Sequence, residues 1–252
     1  MNKLTIERMR EMAPSISTPV ASPNASDRYS HFNTENALSV LESAGWYPVS
    51  VNEKQCRNTN LQAFTKHLIR LRHDELPTIT GDNVPELIII NSHDTKCSLK
   101  VMLGFYRMAC ANGIIIGNDV FKGRVIHTVG NEAAMSELIK HAESKLVDAA
   151  QLVYNMSMKK LSQAQINELC NKALMARWDK LSNVPKNVDA NELVTLRRWE
   201  DNTTDLWTVF NRIQETLVRG GVRGVRRVKA IDTEVKVNTK LFSLATEYLN
   251  AA

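Results

Sequence analysis

The stretch 46-WYPVSVNEKQCRNTNLQAFTKHLIRLRHDELPTITGDNVPELIIIN-91 decides the fold class, because it reads as three strands in succession. In the first, residues 46–56, Tyr47, Val49 and Val51 alternate with polar neighbours, the two-residue period of a half-buried strand. In the second, 63–73, Phe64, Lys66, Leu68, Arg70 and Arg72 share one phase, while His67, Ile69 and Leu71 share the other. The third, 86–91, is apolar between Glu86 and Asn91. Arg57-Asn-Thr-Asn60, then Leu76-Pro77 and Gly81-Asp-Asn83, supply turn chemistry at hairpin spacing, so an antiparallel meander is expected.

Working outward, Asn33-Thr34 precedes Ala37, Leu38, Leu41 and Ala44 on one helical face, with Thr34 as cap and Gly45 as stop. Residues 1–30, rich in Pro, Ser and Ala after a short helical start, read as a flexible N-terminal arm. Beyond Asn91-Ser92-His93-Asp94 the spacing of Leu99, Met102, Leu103, Tyr106 and Cys110 predicts a helix closed by Asn112-Gly113. A β-rich piece follows, with turns at Gly117-Asn118 and Lys122-Gly123. From 132 on the pattern is helical: 132–158, then a helix opened by the capping box Ser162-x-x-Gln165 and ending near Trp178. The stripe Leu206, Val209, Phe210, Ile213 and Leu217 predicts another over 204–218, and 235–249 a closing one. The expected fold is therefore α+β: a helix and an antiparallel β-β-β-α core over 31–130, then a helical region, 131–252, packed on that core.

The chain has 252 residues, 43% of them hydrophobic, enough for a proper core without staples. Cys56, Cys97, Cys110 and Cys170 stand singly, without the close pairs of zinc or redox sites, and read as reduced thiols. His31, His67, His73, His93, His127 and His141 show no metal-ligand spacing, and no HExxH, Walker or dinucleotide glycine motif occurs, so no metal or cofactor is expected. The N-terminus carries scattered charges, and no apolar run approaches the ~20 residues of a membrane helix. A cytoplasmic protein is expected.

The net charge of +5 matters less than its distribution, since most charges alternate along helices as on a solvated face. Arg219-Gly-Gly-Val-Arg-Gly-Val-Arg-Arg-Val-Lys229 is different: Arg219, Arg223, Arg226, Arg227 and Lys229 are five cations with no acid among them. Glycines let backbone approach a polyanion, and guanidinium forks bind phosphates and stack on bases. Arg197 and Arg198 add cations beside the stacking surface of Trp199. A second candidate is the phase of Lys66, Arg70 and Arg72, which with Phe64 would form a basic, aromatic sheet face for single-stranded nucleic acid. The third is the turn Asn91, Ser92, His93 and Asp94, where a strand hands over to the next element; capping and turn hydrogen bonds explain such a cluster without any activity.

Three stretches, GWYPVSVNEKQCRNTNLQAFTKHLIRLR (45–72), PELIIINSHDTKCSLKVMLGFYRMACANGIIIG (85–117) and NTTDLWTVFNRIQETLVRGGVRG (202–224), together resemble a phage- and plasmid-borne family containing the domain of unknown function 932. In that family a strand ending in Asn-Ser-His-Asp precedes a helix ending in Cys-Ser/Ala-Asn-Gly, and the likeness runs from about residue 30 to about 250. The resemblance implies a mobile-element protein and carries over no catalytic residues. The element order is also similar to that of Rad52-like single-strand annealing proteins, which form rings and hold single-stranded DNA in a basic groove, an analogy at the level of fold. The resulting expectation is a homo-oligomer, ring-forming on the analogy, that binds and anneals single-stranded DNA. A second reading has the basic surface inhibit a host defence or polymerase protein; a third is an enzyme with its site at Asn91–Asp94.

Overall fold

The computed structural model describes residues 3–25, 31–76, 78, 81–117, 120–121, 123–125 and 131–251. The chain runs α1 (Ile6–Met12), α2 (Thr34–Ser43), β1 (Trp46–Glu53), β2 (His67–His73), β3 (Asn83–Asn91), β4 (Leu99–Arg107), β5 (Asn112–Ile115), β6 (Gly123–Val125), α3 (Asn131–Met158), α4 (Gln163–Trp178), α5 (Leu206–Arg219) and α6 (Ile231–Asn250), with short 3₁₀ turns between. It divides into two compact units. One comprises Met1–Ile79, Asn83–Tyr106 and Phe121–Leu146; the other Thr80–Asp82, Arg107–Val120 and Val147–Ala252.

In the first unit β1, β2, β3 and β4 lie side by side in that order, with β6 antiparallel to β4. β1–β2 and β2–β3 are antiparallel, as the meander requires; Ile69 faces Val51 on one side and Ile89 on the other. Leu68, Ile69, Leu71 and Leu87 to Ile90 are all buried, so this sheet holds the core. β1 forms the edge, where Pro48 is tolerated because no ladder donor is needed there, and a bulge falls between Pro48 and Ser50. α2 is capped by Asn33, whose side chain accepts from the Glu35 N–H at 2.8 Å; Thr34 is the first helical residue and not the cap.

The α+β plan holds: a helix leads into an antiparallel sheet, and helices fill the C-terminal half. The second strand is shorter than the expected 63–73: Phe64 closes a 3₁₀ turn, Thr59–Phe64, off the sheet, and β2 begins at His67. An expected helix is also replaced. Residues 99–107 form β4 and not a helix, so the helix on which the Rad52-like order closed is a strand. Leu99, Val101, Leu103 and Phe105 fill one face and Met102 and Gly104 the other, all buried. A strand apolar on both faces places hydrophobic residues at every spacing, three and four included, and so imitates a helical period. The left-handed residue after it is Ala111, at φ 49°, while Asn112-Gly113 opens β5. The turns expected at Gly117-Asn118 and Lys122-Gly123 rest partly on residues outside those described.

The expected arm is also folded over its first part. Met9, Ala13 and Ile16 are buried, and the Leu4 N–H donates to Pro48 O at 2.8 Å on the exposed edge of β1. Met9 is buried from α1, Ala13 from its C-cap and Ile16 from the 3₁₀ turn Pro14–Ser17, and this apolar burial outweighs the Pro/Ser composition around them. Residues 26–30 of that segment lie outside those described.

In the second unit α5 is central: every residue except Arg212 and Arg219 is buried, against α4 and α6. Its buried Gln214 is satisfied from neighbouring elements. Gln214 accepts from Asn112 and donates to Asn238 Oδ1 at 2.7 Å, and Asn238 accepts the Ile115 N–H at 3.2 Å. α4 carries the expected capping box at Ser162 and Gln165. Among the described residues no helix is long and apolar enough to cross a membrane.

Candidate functional site

α5 ends where its chain must reverse. Gly220 and Gly221 have φ of +79° and +99°, and a Cβ on Gly220 would stand 2.7 Å from Val225 O, so only glycine fits. The turn that follows is bolted down. Val222 and Val225 form a bridge, Val228 N donates to Val218 O at 2.7 Å, and Val225 and Val228 are buried. Arg177 donates to the carbonyls of Leu217 and Arg226, and Arg197 Nη2 to Gly220 O at 2.8 Å. Arg219 Nη1 donates to Cys110 O at 2.7 Å. The valines thus face inward and the cations outward. Arg223, Arg226, Arg227 and Lys229 are exposed, and among the described residues none of these four side chains enters an ion pair.

The companions expected for this turn have other work. Arg198 binds both Asp201 (Nε to Oδ2, 3.1 Å) and the Glu215 carboxylate, and Asp201 also accepts from Arg107 Nη1 at 2.5 Å. Arg197 lies 3.4 Å from Glu215, and Arg107 3.4 Å from Asp82. Asp201 and Glu215 are buried, so these guanidinium groups neutralise carboxylates that would otherwise be costly to desolvate. Burial pulls the Arg107 guanidinium down while Asp201 and Asp82 push it up, and the net direction is up. Arg197, Arg198 and Arg219 therefore brace the turn, and Trp199, next to Arg198, stands 80% exposed.

The basic sheet face is not a surface. Arg70 and Arg72 are only 8% and 7% exposed, because β2 is covered on both faces and its phases cannot be divided into wet and dry. Both bind the fully buried Glu86 of β3: Arg70 Nη1 to Oε2 at 2.9 Å, Arg72 Nε and Nη2 to Oε1 at 3.0 and 2.9 Å. Arg72 also lies over the Tyr106 ring, 3.9 Å from its centroid. Lys66 is half-buried just before β2. The two arginines cannot reach phosphate without unfolding the sheet.

The Asn91–Asp94 turn is buried at its first three residues, and its hydrogen bonds do what a turn needs. Ser92 Oγ donates to Asp94 Oδ1 at 2.6 Å, and Asp94 Oδ1 also accepts the Lys96 N–H at 3.1 Å, so Ser92, His93 and Asp94 form no relay. His93 instead joins residues distant in sequence. Its ring lies 4.6 Å from that of His31 and 5.6 Å from that of His67, centroid to centroid. Thr34 Oγ1 sits 2.8 Å from His67 Nε2 and accepts from Asn91 Nδ2 at 3.0 Å, while Ser15 Oγ lies 2.8 Å from His67 Nδ1. Ser15 N donates to Glu53 Oε1 at 2.8 Å. One arrangement satisfies a neutral His67: Asn91 donates to Thr34, Thr34 donates to Nε2, and Nδ1–H donates to Ser15. Burial holds His67 at about 4, so the ring is uncharged at neutral pH. The cluster is a closed hub joining the N-terminal segment, α2, β1, β2 and β3. Nothing in the sequence pointed to Ser15, His31, Thr34, Glu53 and His67 as one group, since no motif spans such separations. Among the described residues no group of His, Cys, Asp or Glu is arranged to hold a metal ion.

Comparison with known proteins gives relatives but no activity. The chain is 30% identical to "UPF0380 protein YfjQ" and to "UPF0380 protein YafZ", both of Escherichia coli (strain K12), in each case over 98% of this chain and 92% of the relative. No solved structure matches it. Residues 24–242, which include the Asn91–Asp94 turn, α5 and the Arg/Gly turn, match the family described as "Domain of unknown function (DUF932)", and the chain belongs to that family.

Proposed function

We propose that this protein binds single-stranded DNA in the cytoplasm through the Arg/Gly turn, and that a homo-oligomer of it aligns complementary strands for annealing. The observation that carries the reading is the rigid turn with exposed Arg223, Arg226, Arg227 and Lys229 and no acid between them. A fixed turn presents its cations without the ordering cost that a disordered Arg/Gly tail would meet on binding. The sheet-face residues Lys66, Arg70 and Arg72 have no part in it.

Fluorescence anisotropy of a labelled oligothymidylate across a salt series tests this. Four phosphate contacts at ~0.7 each give a slope of roughly −2.8 in log K against log salt, about a 50-fold loss between ~50 and ~200 mM. Neutralising Arg226 and Arg227 together should flatten the slope by about 1.4. No binding by the wild type at low salt would sink the proposal and turn the search to an acidic host protein bound by the same surface.

A further inference from the structure

Resting on that reading, we infer that Trp199 is the base-stacking platform of the interface and the source of its preference for single strands. An exposed tryptophan on a mobile loop would mean little, but Trp199 opens a 3₁₀ turn, Trp199–Asp201, that is pinned from both sides. Arg198 before it is paired with Glu215 and Asp201, and Asp201 at its end is buried and bound by Arg107. The backbone closes the turn as well, Asn202 N donating to Trp199 O at 2.9 Å. The ring is therefore held out into solvent by a buried ion-pair chain, with 80% of the residue exposed. Folding leaves a large apolar, π-faced surface wet on a rigid support, and that is the property a stacking partner uses.

Its position ties it to the basic turn. Two residues earlier, Arg197 donates to Gly220 O at 2.8 Å and to Thr216 Oγ1 at 3.1 Å, and a Cβ on Gly221 would stand 3.1 Å from Arg197 Nη2. Two residues of chain span at most about 7 Å and the extended Arg197 side chain adds roughly as much, so the Trp199 backbone is tethered within about 20 Å of the Gly220 carbonyl, a few nucleotides of strand. Phosphates on the turn and an unstacked base on Trp199 form the combination that single-strand binding surfaces use. In a duplex the bases are already stacked on one another and offer no free face, so Trp199 contributes only when the strand is single.

The test compares wild type, Trp199→Ala, Trp199→Phe and Arg226→Ala/Arg227→Ala on three probes of one length: oligothymidylate, an abasic oligonucleotide and duplex DNA. Trp199→Ala should weaken oligothymidylate binding about ten-fold or more with an unchanged salt slope, and leave abasic and duplex binding as in wild type. Trp199→Phe should restore most of the loss. Wild-type tryptophan fluorescence should be quenched by oligothymidylate; Trp46 and Trp207 are buried, so the quench should vanish in Trp199→Phe and survive in Trp178→Phe, which removes the half-buried tryptophan beside Arg177. Wild-type affinity in Trp199→Ala, or an equal loss on the abasic probe, overturns the stacking role. The salt slope of the double arginine variant decides the Arg/Gly reading separately, and a wild type that binds none of the probes overturns both.

Discussion

Acidification should destabilise this protein through His67 from about pH 6.5 downward, before its carboxylates titrate in bulk. The ring is fully buried between β1, β3 and α2, and that burial depresses its pKa from 6.5 to about 4. Above pH 6.5 the ring is neutral in both folded and unfolded chains and costs nothing. Between 6.5 and 4 the unfolded chain takes up a proton that the folded chain refuses, so stability falls as pH drops; below about 4 both forms are protonated and the loss levels off. Moving the ring from 6.5 to about 4, at ~1.4 kcal/mol per tenfold in proton affinity, amounts to roughly 3 kcal/mol, a large part of the stability of a domain this size. The groups facing His67 are Glu53, its cross-strand partner, and the rings of His93 and His31 beyond it. Glu53 is engaged by Ser15 and Gln62, which ties its carboxylate down on the N-terminal segment. Urea midpoints measured from about pH 7.5 to about pH 4 should fall steeply through this window, and His67→Gln should remove about one proton's worth of the slope. An imidazole resonance of His67 titrating near its ordinary value, or a His67→Gln slope equal to wild type, would refute the reasoning.

Two further outcomes follow from the packing. Glu86→Ala strips the buried Arg70 and Arg72 of the Glu86 carboxylate and should lower unfolding free energy by about 3–5 kcal/mol, measured by urea titration; a change under about 1 kcal/mol would mean that water reaches this ion pair. Gly220→Ala forces a Cβ against Val225 O at a positive φ and should cost about 1–3 kcal/mol, together with weaker oligonucleotide binding as the Arg/Gly turn loosens; unchanged binding would mean that the turn's shape does not matter.

Much of the helical half was legible from local chemistry. The box at Ser162 and Gln165 and the stripe from Leu206 to Leu217 act over a few residues and need no partner to be recognised. The three-strand reading of 46–91 also stood, because alternation and turn residues are local signals. What local pattern could not resolve was coverage. Whether a strand is wet on one face or dry on both depends on what packs over it, so β4 passed for a helix and Arg70 and Arg72 for surface cations. The same holds for the polar hub. Ser15, Thr34, His67, Asn91 and His93 stand far apart along the chain, and only the sheet's register and the seating of α2 bring them within hydrogen-bonding distance. For the Arg/Gly segment the order of residues says which charges exist. The tertiary structure decided which are spent: Arg197, Arg198 and Arg219 on buried carboxylates and carbonyls, leaving Arg223, Arg226, Arg227 and Lys229 outside, because a desolvated carboxylate binds the nearest guanidinium before any partner can.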